Sequence, residues 1–188
     1  HHIKVVIADA IEKNDAKSGQ NGQPKVLAVG LAEARGLRHG YVLNITDVVS
    51  SIRQAVSIAE KKANVKVKKA FISIGGIGLG SITSTSSIII SRADSEITAL
   101  DIKKVQEQCE KDIPSALSLN KKIIHSIPVQ YKIDGKPVLG KPEGMRGSKF
   151  EIKTLYITCL EHHLNDMIEA VEEAGISVQD VMASPIAA

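Results

Sequence analysis

Aromatic rings are what this sequence has least of. It holds no Trp, 2 Phe and 3 Tyr in 188 residues, so its core must be built from Val, Ile, Leu and Ala, and it offers few faces on which unpaired bases could stack. Charge of a single sign is missing too: 24 Lys and Arg stand against 21 Asp and Glu, mixed along the chain, for a net +3. That is no footprint for DNA, and no nucleic-acid partner is expected. Only Cys109 and Cys159 are present, too few for a disulfide framework or a zinc site, and a reduced, cytoplasmic setting is expected. The longest apolar runs, such as Val26 to Gly30 and Ile88 to Ile90, fall far short of the roughly 20 residues that span a bilayer. Neither a membrane helix, a signal peptide nor direct membrane contact is expected. What remains is an ordinary globular composition, 43% apolar and 24% charged with 14 Gly and 6 Pro, enough for one domain or two small ones. The opening His1-His2 reads as a tag remnant ahead of a strand, and the whole as a piece of a larger protein.

Along the chain, Ile3 to Ile11 and Lys25 to Gly30 read as an antiparallel pair around a turn-rich Asn14 to Pro24 with the turn signal Asn21-Gly22. Arg35 to Gly40 reads as a bend into a third strand, Tyr41 to Ile45. Thr46 or Asp47 then caps a helix whose apolar residues Val48, Val49, Ile52, Val56 and Ala59 recur at three and four, ending near Asn64. Ala70 to Ile74 reads as a buried strand stopped by Gly75-Gly76. From Gly75 the character changes, because Gly75 to Gly80 is followed by a β-prone Ser/Thr/Ile run from Ser81 to Ile90, and a domain boundary is expected there. Thr98 and Asp101 form a capping-box pattern for a helix through Lys111, with Ile102, Val105 and Cys109 on one face. Strands are expected over Lys121 to Ile133, turned by Asp134-Gly135, and over Lys149 to Cys159. A last helix carries Leu160, Leu164, Ile168 and Val171 and stops at Gly175; Val178 to Ala183 begins a final strand. The fold class is α/β, a layer interrupted by a small strand-helix-strand-strand module and resumed after it.

No motif for catalysis or metal binding survives inspection, and catalytic, cofactor and metal residues are all expected to be absent. The glycines at 75 to 80 fall as GGxGxG, without a Walker Lys and without a following helix, so a linker is expected there rather than a phosphate loop. His162 and His163 are adjacent and point to different faces of a helix, so they read as surface histidines rather than a chelating pair. His125 lacks a nucleophile and an orienting acid, and a structural role is expected. Lys61, Lys62, Lys66, Lys68 and Lys69 read as a solvated helix end, and Asp9 is not followed by the Gly-rich turn of an ATPase phosphate site.

Several strings nevertheless resemble one family. They are Lys25 to Gly30 with Arg35-Gly36-Leu37-Arg38-His39-Gly40 and Asn44-Ile45; Ser51 to Val56; Ile72 to Gly76; Gly144-Met145-Arg146-Gly147-Ser148-Lys149-Phe150-Glu151-Ile152; and Ala174 to Val178 with Ser184 to Ala187. Over nearly the whole chain they are similar to the bacterial cell-division protein FtsA, an actin-like ATPase of ribonuclease-H-like fold. The resemblance implies a partial actin-like domain IA at 3–75 and 154–188, interrupted by the inserted domain IC at 76–153. It implies a parent that binds ATP and Mg, forms filaments and tethers FtsZ to the cytoplasmic face of the inner membrane at the division septum. The parent would hold FtsZ through a second lobe absent here. This chain also lacks the family's phosphate loops and adenosine motif, so it is expected neither to bind ATP nor to act as an enzyme. Its contacts would be self-association and other division proteins, through Lys103, Lys104, Glu107, Arg146 and Lys149. A PilM-like type IV pilus assembly protein and a kinase of the same superfamily are the alternatives.

Overall fold

The computed structural model describes residues 2–9 and 24–187. Apart from Pro24, the turn-rich stretch expected at 14–24 lies outside them, as do Ala10 and Ile11. The chain divides into two compact units: His1–Gly76 with His163–Val181, and Ile77–His162 with Met182–Ala188.

In the first unit, β1 (His2–Ala8) pairs antiparallel with β2 (Val26–Glu33), as the alternation predicts. One face of β2, Ala28, Gly30 and Ala32, lies against α1 (Ile45–Ala63), whose side chains Val48, Val49, Ile52 and Val56 form the core with Ala170, Val171 and Ile176. The expected third strand is only a two-residue ladder, β3 (Leu37–Arg38) with β4 (Tyr41–Val42), turned by His39 and Gly40. The helix starts earlier than expected: Asn44 is the cap, its side chain accepting from the Asp47 N–H at 3.3 Å, and Ile45 is already helical. Asn64 ends the helix in the left-handed region, as placed from sequence. β5 (Lys69–Ile74) shares a two-stranded sheet with β10 (Ser177–Ala183). It is not the buried strand expected, because its outer face is open and Phe71 is 68% exposed. α4 (Glu161–Glu173) ends before Gly175, whose φ of +94° suits a residue without Cβ.

The second unit is a four-stranded antiparallel sheet ordered β6-β9-β7-β8: β6 (Leu79–Ile89), β9 (Lys149–Leu160), β7 (Lys121–Ile133) and β8 (Lys136–Val138). The Ser/Thr run is thus one continuous strand, with Ile82, Ser84 and Ser86 turned inward and the residues between them outward. α2 (Ala99–Lys111) covers the inward face, and the short α3 (Ser115–Ser118) leads into β7. Val105 and Cys109 close a core with Ile82, Ile97, Phe150, Ile152 and Tyr156, while Ile102 is only partly buried. Tyr131 and Phe150 stack with ring centroids 6.2 Å apart. The boundary expected at Lys153 falls in the middle of β9, whose ladders on both sides continue to Cys159 and Leu160. β7 and the turn at Asp134-Gly135 occupy the residues anticipated from sequence.

Candidate interaction surface

The helix that faces solvent in the second unit is held by charge at its start. Thr98 and Asp101 form a reciprocal capping box, with the Thr98 N–H donating to Asp101 Oδ2 at 2.9 Å. Asp101 is 5% exposed, and the Arg92 guanidinium donates to both its carboxylate oxygens as well as to the Glu96 carbonyl. Arg92 first, and the Thr98 hydroxyl after it, hold the Asp101 carboxyl far below the usual carboxylate range despite its burial. Thr98 and Asp101 were readable from the box spacing. Arg92 stands nine residues upstream in a loop, where no periodic signal marks it.

The Gly-Met-Arg-Gly loop is fixed to the segment leading into this helix. Ile97 N donates to the Met145 carbonyl at 2.8 Å, Gly144 N to the Ile97 carbonyl at 2.9 Å and Gly147 N to the Ser95 carbonyl at 3.0 Å, while Arg146 bridges to Glu96. Asp134 accepts from Ser148 N at 3.0 Å and Lys149 N at 2.8 Å, so this turn residue also clamps the loop's exit. A Cβ on Gly147 would come within 2.1 Å of Ile133 Cγ2, which explains the glycine there.

Each residue expected to make contacts is exposed. Lys103 and Glu107 are brought together on α2, 3.9 Å apart, with Lys104 beside them. Arg146 reaches the start of α2 through its backbone bridge to Glu96, and Lys149 opens β9 opposite Ile89. The core side of α2 is occupied by its own sheet, so the side left for a partner is the one that carries these charges together with the exposed Leu100.

The remaining candidates resolve individually. His125 Nε2 accepts from the Ala183 N–H at 3.0 Å, the structural role expected. His162 is exposed, but His163 is 2% exposed and packs its ring 4.9 Å from Tyr41, contrary to its reading as a surface residue. It shares a helix face with the buried Ala170, seven residues on, which the sequence could have revealed. Of the lysine cluster, Lys66 pairs with Glu60 at 2.7 Å, and Lys62 donates to the Val29 carbonyl at 3.1 Å; Lys61 is exposed. Cys109 and Cys159 are free and buried, and burial pushes both thiols up. Among the described residues no cluster of three His, Cys, Asp or Glu could hold a metal, and no helix is long and apolar enough to cross a membrane.

Comparison with known proteins places both units. Residues 78–158 match the family model described as the SHS2 domain inserted in FtsA. The cell division protein FtsA of Pseudomonas aeruginosa is 28% identical over 167 residues, 89% of this chain and 39% of that protein. FtsA of Streptococcus pneumoniae is 27% identical over 98% of this chain and 38% of its own length. FtsA of Neisseria meningitidis is 30% identical over 86% of this chain and 38% of that protein. The chain therefore spans about two fifths of the length of the curated relatives it matches. Among solved structures, the PilM-PilN type IV pilus biogenesis complex contains a chain of the same fold. Its TM-score is 0.56 at 14% identity, covering 99% of this chain and 45% of that one.

Proposed function

We propose that this chain, similar to FtsA over most of its length and matching over residues 78–158 the SHS2 domain inserted in FtsA, works as the contact-making part of an actin-like division protein. In this reading the SHS2 unit docks other division proteins and further copies of the chain. The parent would be a filament-forming adaptor, binding ATP and Mg and tethering FtsZ at the cytoplasmic face of the membrane at the septum. The observation that carries the docking role is the division of labour on α2. Its apolar side is consumed by the unit's own core, while Lys103, Lys104 and Glu107 stay exposed beside a loop whose backbone is pinned. A pinned loop presents Arg146 and Lys149 at little further ordering cost, which favours recognition. The likeness to the pilus complex is one of fold, and no feature of the site favours a pilus role over division.

The test is charge reversal at the rim. Lys104→Glu and Arg146→Glu should change melting by only about half a kcal/mol each, while weakening association with division proteins and altering its salt dependence. Variants that associate normally would remove these residues from the surface. Variants that unfold would show them to be core support.

A further inference from the structure

The outer strand of the SHS2 unit has an open side, and its hydrogen-bonding phase can be read. Ile90 N donates to the Ser148 carbonyl and Leu160 N to the Gly78 carbonyl. Both pairs continue the register that sets Leu79 against Cys159 and Ile89 against Lys149. In an antiparallel ladder such positions alternate, so the even-numbered residues of β6 spend their amides on β9. The odd-numbered residues, Leu79 through Ile89, turn N–H and C=O groups toward the open side, because β6 is the end strand of the sheet.

Proteins ordinarily blunt such an edge with a lysine, a proline, a bulge or a very short strand. β6 has none of these: it runs 11 residues in unbroken register and carries no charge and no proline. Its outward-facing, odd-numbered residues are also close to a palindrome about Ser84, whereas on the inward face Ile82 would meet Ser86 and Gly80 would meet Ile88. Folded onto an antiparallel copy centred there, Thr83 meets Thr85, Ser81 meets Ser87 and Leu79 meets Ile89. On that outward face hydroxyl meets hydroxyl and apolar meets apolar, and no pair in the register sets like charges together, the pairings that favour adjacent strands. Every one of these pairs joins odd-numbered residues, the ones whose amides are unspent.

We infer that β6 pairs with β6 of a second copy of this chain, antiparallel about a two-fold axis at Ser84, joining two sheets into one. A foreign strand would require no symmetry in β6, and the symmetry of its outward-facing residues is what selects a second copy. The inference deepens the proposed docking role and rests on the SHS2 unit being a contact element.

Sedimentation equilibrium of the purified chain tests it with two double variants at exposed positions. Thr83→Lys with Thr85→Lys sets lysine against lysine across the axis and should weaken the dimer at least tenfold while the monomer stays folded, with a slightly lower melting temperature because Thr85 lies opposite Lys153 in β9. Thr83→Lys with Thr85→Glu sets opposite charges against each other in this register alone, and should dimerise at least tenfold more tightly than the double lysine variant. A wild-type chain that stays monomeric at millimolar concentration overturns the pairing, as do two double variants that dimerise equally. A dimer lost in Lys104→Glu and Arg146→Glu but kept in the double lysine variant also overturns it, while leaving the docking surface intact. Loss of partner association through β6 with none through the charged rim would instead sink the rim.

Discussion

Asp101 is an acid in a place where its ionised form is the better fit. It accepts from Arg92, from the Thr98 hydroxyl and from the Thr98 N–H, all donors that its protonated form would partly waste. Its carboxyl titrates well below its value of about 3.9 in an unfolded chain. The stability this supplies is present above the unfolded value and is lost as pH falls through the folded one. Wild-type melting should therefore drop steeply below about pH 4, and Asp101→Asn, less stable at neutrality, should flatten that acid limb. Melts of both proteins from neutral pH downward check this, and parallel curves would assign the acid sensitivity elsewhere. Among single residues, those obeying a local rule were legible: the Thr98 box, the αL cap at Asn64, the turn at Asp134-Gly135. Arg92 and the clamp by Asp134 were not, since each acts across a loop on a partner nine or more residues away.

Elements followed the hydrophobic period wherever a residue had one dominant environment. β9 and α2 were readable because one face is consistently inward, and β7, whose register slips at Ile123/His125 and Pro128/Gln130, was readable from its run of β-branched and aromatic residues instead. The short β3–β4 ladder was overread as a strand because Tyr41 to Ile45 carries apolar residues that belong partly to the start of α1. The packing of α1 on β2 is set by an absence of side chain, which no periodicity displays. A Cβ on Gly30 would lie 2.0 Å from the Ala55 carbonyl oxygen and 2.9 Å from Ala59 N. Helix and strand would have to separate, so Gly30→Ala should cost roughly 1–3 kcal/mol. Denaturant unfolding measures it; a loss below a few tenths would mean that α1 moves aside freely.

On the scale of the molecule, we propose that this chain does not bind ATP. The turn at Gly75 and Gly76 leads directly into β6, so its glycines precede a strand rather than the helix N-terminus that an anion site uses. Calorimetry with Mg-ATP should give no binding heat, and a micromolar dissociation constant would overturn the reading. The division into two units was legible as a change of character after Gly75, but not the return of β9, because a strand in mid-ladder carries no boundary signal. That ladder has a further consequence in time. It joins residues 80 positions apart at Leu79 and Cys159 and 60 apart at Ile89 and Lys149, whereas Ile133 meets Phe150 only 17 residues on. Loop closure therefore favours β7, β8 and β9 assembling among themselves, with β6 docking last. At translation rates of about 5–20 residues per second, β6 waits on the order of 3–12 s for its partner to be made. A strand of that length built mainly from apolar residues would be an aggregation seed during the delay. The row of serines and threonines lets it wait in water.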